Sequence, residues 1–138
     1  MAYNFPICDF HMAAPTPGNI GIAVFTGAGA SAPTVAASTV CSLKVNLANR
    51  GTPTITRNGV GDYTFTLPAT AVPTIVYAVI PVMDGTSGQE CNHKAALSIS
   101  SGALTVRVQV STTAGVAADA TTADNIRLIL LGSTNSAG

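Results

Sequence analysis

The chain has 138 residues, of which 47% are hydrophobic and only 9% are charged, and its six basic and six acidic side chains cancel. A neutral chain with so few charges has no electrostatic footprint for nucleic acid or an anionic membrane surface, so we expect neither partner. It also has little charge to keep a monomer soluble, so we expect other protein chains to cover much of its surface.

Residues 1–19 predict an extended N-terminal arm. Prolines and a glycine break any regular element there, and the arm carries four bulky apolar side chains: Tyr3, Phe5, Ile7 and Phe10. One interpretation has the arm tucked onto its own domain, and the other has it crossing onto a neighbouring subunit. No secretory signal or membrane-length apolar run is evident, and three cysteines with no close pair fit synthesis in a reducing cytoplasm.

Residues 20–25 alternate in the manner of a strand, and residues 26–38 are small and turn-rich, which predicts a surface loop. The next strand is predicted over residues 41–47, where Cys41, Leu43, Val45 and Leu47 alternate with polar residues.

Residues 55–67 predict a β-hairpin. Asn58 and Gly59 tolerate positive φ and are expected to form its turn. In the second arm Tyr63, Phe65 and Leu67 share one face, which predicts core. Arg57 and Asp62 flank the turn and are expected to pair across it.

Residues 74–82 are apolar on both faces, which favours a central strand covered by core on one side and by a second layer or a partner on the other. We therefore expect Ile75, Tyr77 and Val79 to contact a partner subunit. Pro81 cannot donate to a ladder, so the strand must have an edge or a bulge there.

The rest of the chain predicts two loops, at residues 84–92 and 111–122, and a polar tail at 132–138. It predicts strands over three further ranges: 93–100, 104–111 and 126–131. About eight short strands without a convincing helix predict an all-β fold, an antiparallel β-sandwich or jelly-roll-like domain. We expect an arm at 1–19, one domain at 20–132 and a flexible tail at 133–138.

Candidate chemistry is sparse. Cys8, His11, Cys91 and His93 offer two thiols and two imidazoles, but their spacing is poor for a structural zinc site, and ordinary neighbours are the favoured interpretation. A calcium site in residues 84–92 lacks a dense set of oxygen ligands. With no nucleophile elbow or paired carboxylates, we expect no enzyme activity, no catalytic residue, no metal and no cofactor.

The hairpin segment T-I-T-R-N-G-V-G-D-Y-T-F-T-L, the apolar strand after it and the ending N-I-R-L-I-L-L-G resemble small all-β structural proteins of tailed bacteriophages. The chain is most similar in type to the capsid decoration, or cement, proteins. This resemblance covers residues 40–131 and implies a homotrimer on the outer surface of the virion, bound to the major capsid protein, that stabilises the shell. It implies no catalytic residues.

Two other classes remain open. A receptor- or glycan-binding head domain of a phage fibre would use exposed loops, although residues 27–37 and 84–92 carry no aromatic side chain for a sugar. A small carbohydrate-active or metal-dependent enzyme is disfavoured by the few titratable groups.

Overall fold

The computed structural model describes residues 18–36, 53–69 and 75–133. In these residues the chain forms strands and no helix, and therefore no helix that could cross a membrane. The nine strands run in chain order: β1 (Gly18–Thr26), β2 (Thr34–Val35), β3 (Thr54–Gly59), β4 (Asp62–Leu67), β5 (Ile75–Gly85), β6 (Gln89–His93), β7 (Ser98–Ser100), β8 (Ala103–Thr112) and β9 (Asp124–Ser133).

The strands form two antiparallel sheets, in the order β2-β1-β9-β5 for sheet A and β3-β4-β8-β6 for sheet B, with β7 also paired to β8. The all-β, antiparallel sandwich predicted from the alternation is thereby confirmed. Of the arm predicted over residues 1–19, residues 1–17 lie outside the described residues, whereas Gly18 and Asn19 belong to β1. The strand predicted over 41–47 also lies outside the described residues.

The core lies between the sheets and is made by alternate residues of the long strands. Phe25 and Phe65 meet at its centre, with ring centroids 4.5 Å apart. The predicted core face of the hairpin is confirmed, because Tyr63, Phe65 and Leu67 are all fully buried. The inner face of sheet B also includes Val106 and Val108 of β8, and that of sheet A includes Leu128 and Leu130 of β9.

The hairpin turn differs from the prediction. Gly59 pairs with Asp62, so the two turn residues are Val60 and Gly61, and Gly61 has φ +65°. The register shifts between Arg57 and Gly59, which makes Asn58 a bulge residue. The extra residue in the first arm therefore moves the turn away from Asn58 and Gly59.

Strand β5 also differs from the prediction, because it is the last strand of sheet A and pairs only with β9 among the described strands. The expectation of a central strand was wrong, whereas the edge inferred from Pro81 is confirmed. A register shift between Val76 and Ala78 places a bulge at Tyr77. The bulge reverses the alternation, so Val79 faces the core while Tyr77 is exposed.

Residues 84–92 were predicted as a polar loop, and this was wrong. β5 continues to Gly85 and β6 begins at Gln89, so the connection is only the three residues 86–88. Polar side chains fit here because most of β6 lies at the exposed edge of sheet B, with Cys91 alone directed into the core. The strand predicted over 93–100 is reduced to β7.

Candidate interaction surface

Ion pairs engage every lysine and arginine of the described residues. The Asp62 carboxylate forms ion pairs with Arg107 and Lys94. Arg107 Nη2 lies 2.8 Å from Asp62 Oδ2, and Lys94 Nζ lies 2.7 Å from the same oxygen. The other two pairs are Arg57 with Asp119 and Arg127 with Asp84. The pairing of Arg57 with Asp62 expected from the sequence was wrong, because both side chains are already bound to residues of other elements.

The Asp62 cluster lies on the outer face of sheet B. Asp62 is buried beneath its two cations, and Asn58 Nδ2 donates to its Oδ1 at 3.2 Å. The Arg107 guanidinium, Lys94 and Asn58 hold the pKa of Asp62 well below its usual range, against the opposing effect of burial. Both oxygens of the Asp62 carboxylate therefore accept hydrogen bonds from charged or polar side chains. This arrangement suits a structural role and does not suit a general base.

A second carboxylate, Asp119, ties the 113–123 connection to the hairpin. Arg57 donates to both of its oxygens, at 2.9 and 2.7 Å, and the Gly61 amide and Tyr63 hydroxyl donate at 2.9 and 3.0 Å. The guanidinium hydrogen bonds lower the pKa of Asp119 to about 2. Burial raises the pKa of Tyr63 to about 12, so its hydroxyl remains a donor.

Asp124 anchors the start of β9 and is only 1% exposed. The Thr121 hydroxyl donates to its Oδ2 at 2.5 Å, and the Ser87 amide donates to its Oδ1 at 3.2 Å. Burial alone would raise the pKa of Asp124, but these hydrogen bonds outweigh burial and lower it. The carboxylates of Asp62, Asp119 and Asp124 thus each hold separate segments of the chain together. The sequence could not show this, because its acids are isolated from one another.

Cys91 and His93 are the two members of the possible zinc set that the structure describes. Burial raises the pKa of the Cys91 thiol to about 12, which leaves it protonated and a poor ligand or nucleophile at neutral pH. The Nε2 of His93 lies 2.7 Å from the Val79 carbonyl oxygen, a geometry in which Nε2 donates. Cys8 and His11 lie outside the described residues, and within those residues no three His, Cys, Asp or Glu side chains are grouped to hold a metal.

A shallow groove of about 320 Å³ runs between β5 and β6. Its lining combines apolar β5 residues with polar β6 residues: Pro81, Val82, Met83, Gln89, Glu90, Cys91 and Asn92.

Asp84 begins the segment that was considered as a calcium site, and its carboxylate forms an ion pair with Arg127.

The two outer faces of the sandwich differ in chemistry. Sheet B presents hydroxyl rows, in which Thr54 pairs with Thr66 and Thr66 with Thr105. Sheet A presents an apolar row in which Ile22 pairs with Ile129 and Ile129 with Ile80. Antiparallel sheets that face water are usually polar outside, so the apolar row on the outer face of sheet A departs from the usual pattern.

The predicted partner-contact residues fall into three groups. Tyr77 is exposed, whereas Val79 is 4% exposed and packs in the core of the domain. The four arm residues lie outside the described residues: Tyr3, Phe5, Ile7 and Phe10. Ile75 begins β5. Sequence alternation missed Ile80, which is 46% exposed on the outer face because of the bulge at Tyr77.

Comparisons of the chain with protein-family models, curated proteins and solved structures found no match.

Proposed function

We propose that this chain is a structural virion protein that binds the outer surface of a tailed-phage capsid as an oligomer, a trimer, and stabilises the shell. The observation that carries the proposal is the chemistry of the surface. Each described cation is neutralised within the subunit, while apolar side chains remain exposed on and beside sheet A. Such a surface favours neutral protein partners over charged ligands.

The internal ion pairs support a scaffold role. Arg57–Asp119 joins the hairpin to the 113–123 connection, and the Asp62 cluster joins the hairpin to β8 and to Lys94. Arg127–Asp84 links β9 to β5 within sheet A. Ion pairs that link separate strands and connections would help a domain to resist load, which is the requirement for reinforcing a shell. Each copy that binds the assembled lattice and not the free capsid subunits stabilises the lattice by mass action.

The arm provides the proposed capsid contact. Residues 1–17 precede β1, and their apolar side chains Tyr3, Phe5, Ile7 and Phe10 would supply a contact area without requiring charge. The proposed partners are the major capsid protein and other copies of the chain, and the proposed location is the virion surface.

Co-sedimentation with empty capsids tests the proposal. We expect the full chain to pellet with capsids and a variant lacking residues 2–15 to stay in the supernatant with its fold intact. A matched variant lacking residues 134–138 loses a polar terminus and should bind as the full chain does. Full occupancy by the arm-deleted variant would refute the arm assignment, and failure of the full chain to bind would refute the capsid proposal. Binding to host cells or glycans in that event would support the fibre-head alternative.

A further inference from the structure

The outer face of sheet A carries one contiguous apolar surface, which the strand register defines. Core residues alternate with outward residues along each strand, and outward residues that pair across strands have neighbouring side chains. These pairs run across three adjacent strands, from β1 through β9 to β5. We call this surface the sheet A face and define it by six residues: Ile22, Val24, Ile80, Val82, Ile129 and Leu131.

Exposure on the sheet A face differs from one side to the other. Val24 of β1 is 5% exposed, whereas Ile80 of β5 is 46% exposed. Arg127 pairs with both Val24 and Val82, and its guanidinium is engaged by the Asp84 carboxylate. The face therefore offers apolar contact and no unpaired cation, and a segment that covers it removes apolar surface from water.

The chain that precedes β1 is attached beside this face. Gly18, the first residue of β1, pairs with Ser133, which lies close to Leu131 in β9. Residues 1–17, which lie outside the described residues, are joined directly to Gly18. An extended segment of that length spans about 56 Å, whereas three neighbouring strands of about ten residues measure about 10 Å by about 33 Å. Residues 1–17 are therefore long enough to cross the face.

The composition of residues 1–17 matches the sheet A face. They contain no lysine or arginine, and Asp9 is their only acidic residue. Their prolines fix φ and lack an amide proton, so they reduce the entropy lost on ordering and suit packing through side chains. The bulky apolar side chains available for such packing are Tyr3, Phe5, Ile7 and Phe10.

We propose that residues 1–17 cover the sheet A face of their own chain. The covalent link to Gly18 holds them near the face at an effective concentration on the order of millimolar, which a partner in solution would have to exceed. This link favours the chain's own arm over a second copy or another protein. The inference goes beyond the proposed function, in which an arm held on sheet A would meet the capsid from a fixed position and lose less conformational entropy on binding.

Cysteine labelling at the centre of the face tests the proposal, in a background with Cys8 and Cys41 replaced by serine. Ile129→Cys should react with a thiol reagent at least about tenfold faster once residues 2–15 are deleted, because a packed arm must open before the thiol reacts. Thr66→Cys, on the outer face of sheet B, is the matched control and should react equally with and without the arm. Protection of Ile129→Cys in the full chain should persist on dilution. Equal labelling with and without the arm, or protection lost on dilution, would overturn the proposal.

A cross-link within the full chain keeps the test independent of the deletion. Photoactivatable benzoylphenylalanine in place of Phe5 should attach within one chain to residues 22–24, 78–82 or 129–131. Cross-links only between chains, only to sheet B, or none at all would overturn the proposal. A covered face in a chain that never binds capsids would refute the capsid proposal alone. A capsid-binding chain whose Ile129→Cys reacts equally with and without the arm would refute the covering of sheet A alone.

Discussion

Arg57 and Asp119, 62 positions apart in the chain, form a two-point ion pair that closes one end of the sandwich. The same carboxylate accepts hydrogen bonds from the Gly61 amide and the Tyr63 hydroxyl. The Tyr63 hydroxyl oxygen in turn accepts a hydrogen bond from the Ala120 amide, at 3.0 Å. A single carboxylate thus fixes the hairpin turn against the connection between β8 and β9, which joins the two sheets.

Asp119→Ala should destabilise the domain by about 2–3 kcal/mol, because it leaves a partly buried guanidinium, an amide and a hydroxyl without their acceptor. Asp84→Ala is the control. The Asp84–Arg127 pair is exposed, with side-chain exposures of 50% and 37%, so its loss should cost less than about 1 kcal/mol. Urea unfolding followed by circular dichroism measures both, and equal midpoints for the two variants would contradict the role given to Asp119.

Acid should weaken the domain through the same carboxylate. The folded-state pKa of Asp119 is lowered from 3.8 to about 2, so the unfolded chain binds more protons between these values and stability falls as pH falls. The contribution is complete above about pH 4 and is lost as pH falls through about 2, with a magnitude of at most about 2 kcal/mol. The lowered pKa of Asp62 acts in the same direction and extends the loss to lower pH.

Stability of the parent and of Asp119→Asn, measured from pH 7 to pH 2, tests this linkage. The variant should show a shallower decline below pH 4, since it lacks one titrating group. Parallel curves would mean that Asp119 ionisation does not contribute to folding.

Gly61→Ala should be among the most damaging single substitutions. Gly61 has φ +65°, and an added Cβ would lie 2.3 Å from the Val110 carbonyl oxygen and 2.6 Å from that of Ala118. Backbone strain and a clash with two backbone oxygens combine, so we expect a loss of at least about 3 kcal/mol. Gly59→Ala has open space at its Cβ and should cost less than about 1 kcal/mol. Thermal unfolding of the two variants gives the comparison, and similar melting temperatures would contradict it.

Cys91 should be inert in the folded chain. Its thiol is buried and its pKa is raised to about 12, so little thiolate exists at neutral pH. In a background with Cys8 and Cys41 replaced by serine, a thiol reagent should label Cys91 at least 100-fold faster after denaturation. Rapid labelling of the native chain would show that the β6 side of the core opens readily.

Sequence periodicity predicted most of the fold because inward residues repeat at every second position in the long strands. Leu104 to Val110 and Ile126 to Leu130 show this most clearly, and both strands lie where the alternation placed them. The same reasoning failed at single-residue irregularities. The bulges at Asn58 and Tyr77 each add one residue, which moved the hairpin turn and reversed the face of Val79.

The surface was less predictable than the core. Six acids scattered along the sequence gave no sign that Asp62, Asp119 and Asp124 would each collect several donors, because those donors come from distant segments. Ile80 was overlooked as a surface residue, since a run that is apolar on both faces does not say which face the subunit covers. The odd position of Pro81 within that run was the one available signal that β5 is an edge.

The most direct test of the account is the native mass of the unmodified full chain, determined by sedimentation equilibrium over a hundredfold range of concentration. The account predicts an oligomer with the mass of three chains that dissociates only on dilution. A chain that remains monomeric at every concentration would contradict the central claim that this neutral, apolar sandwich functions by assembling with copies of itself.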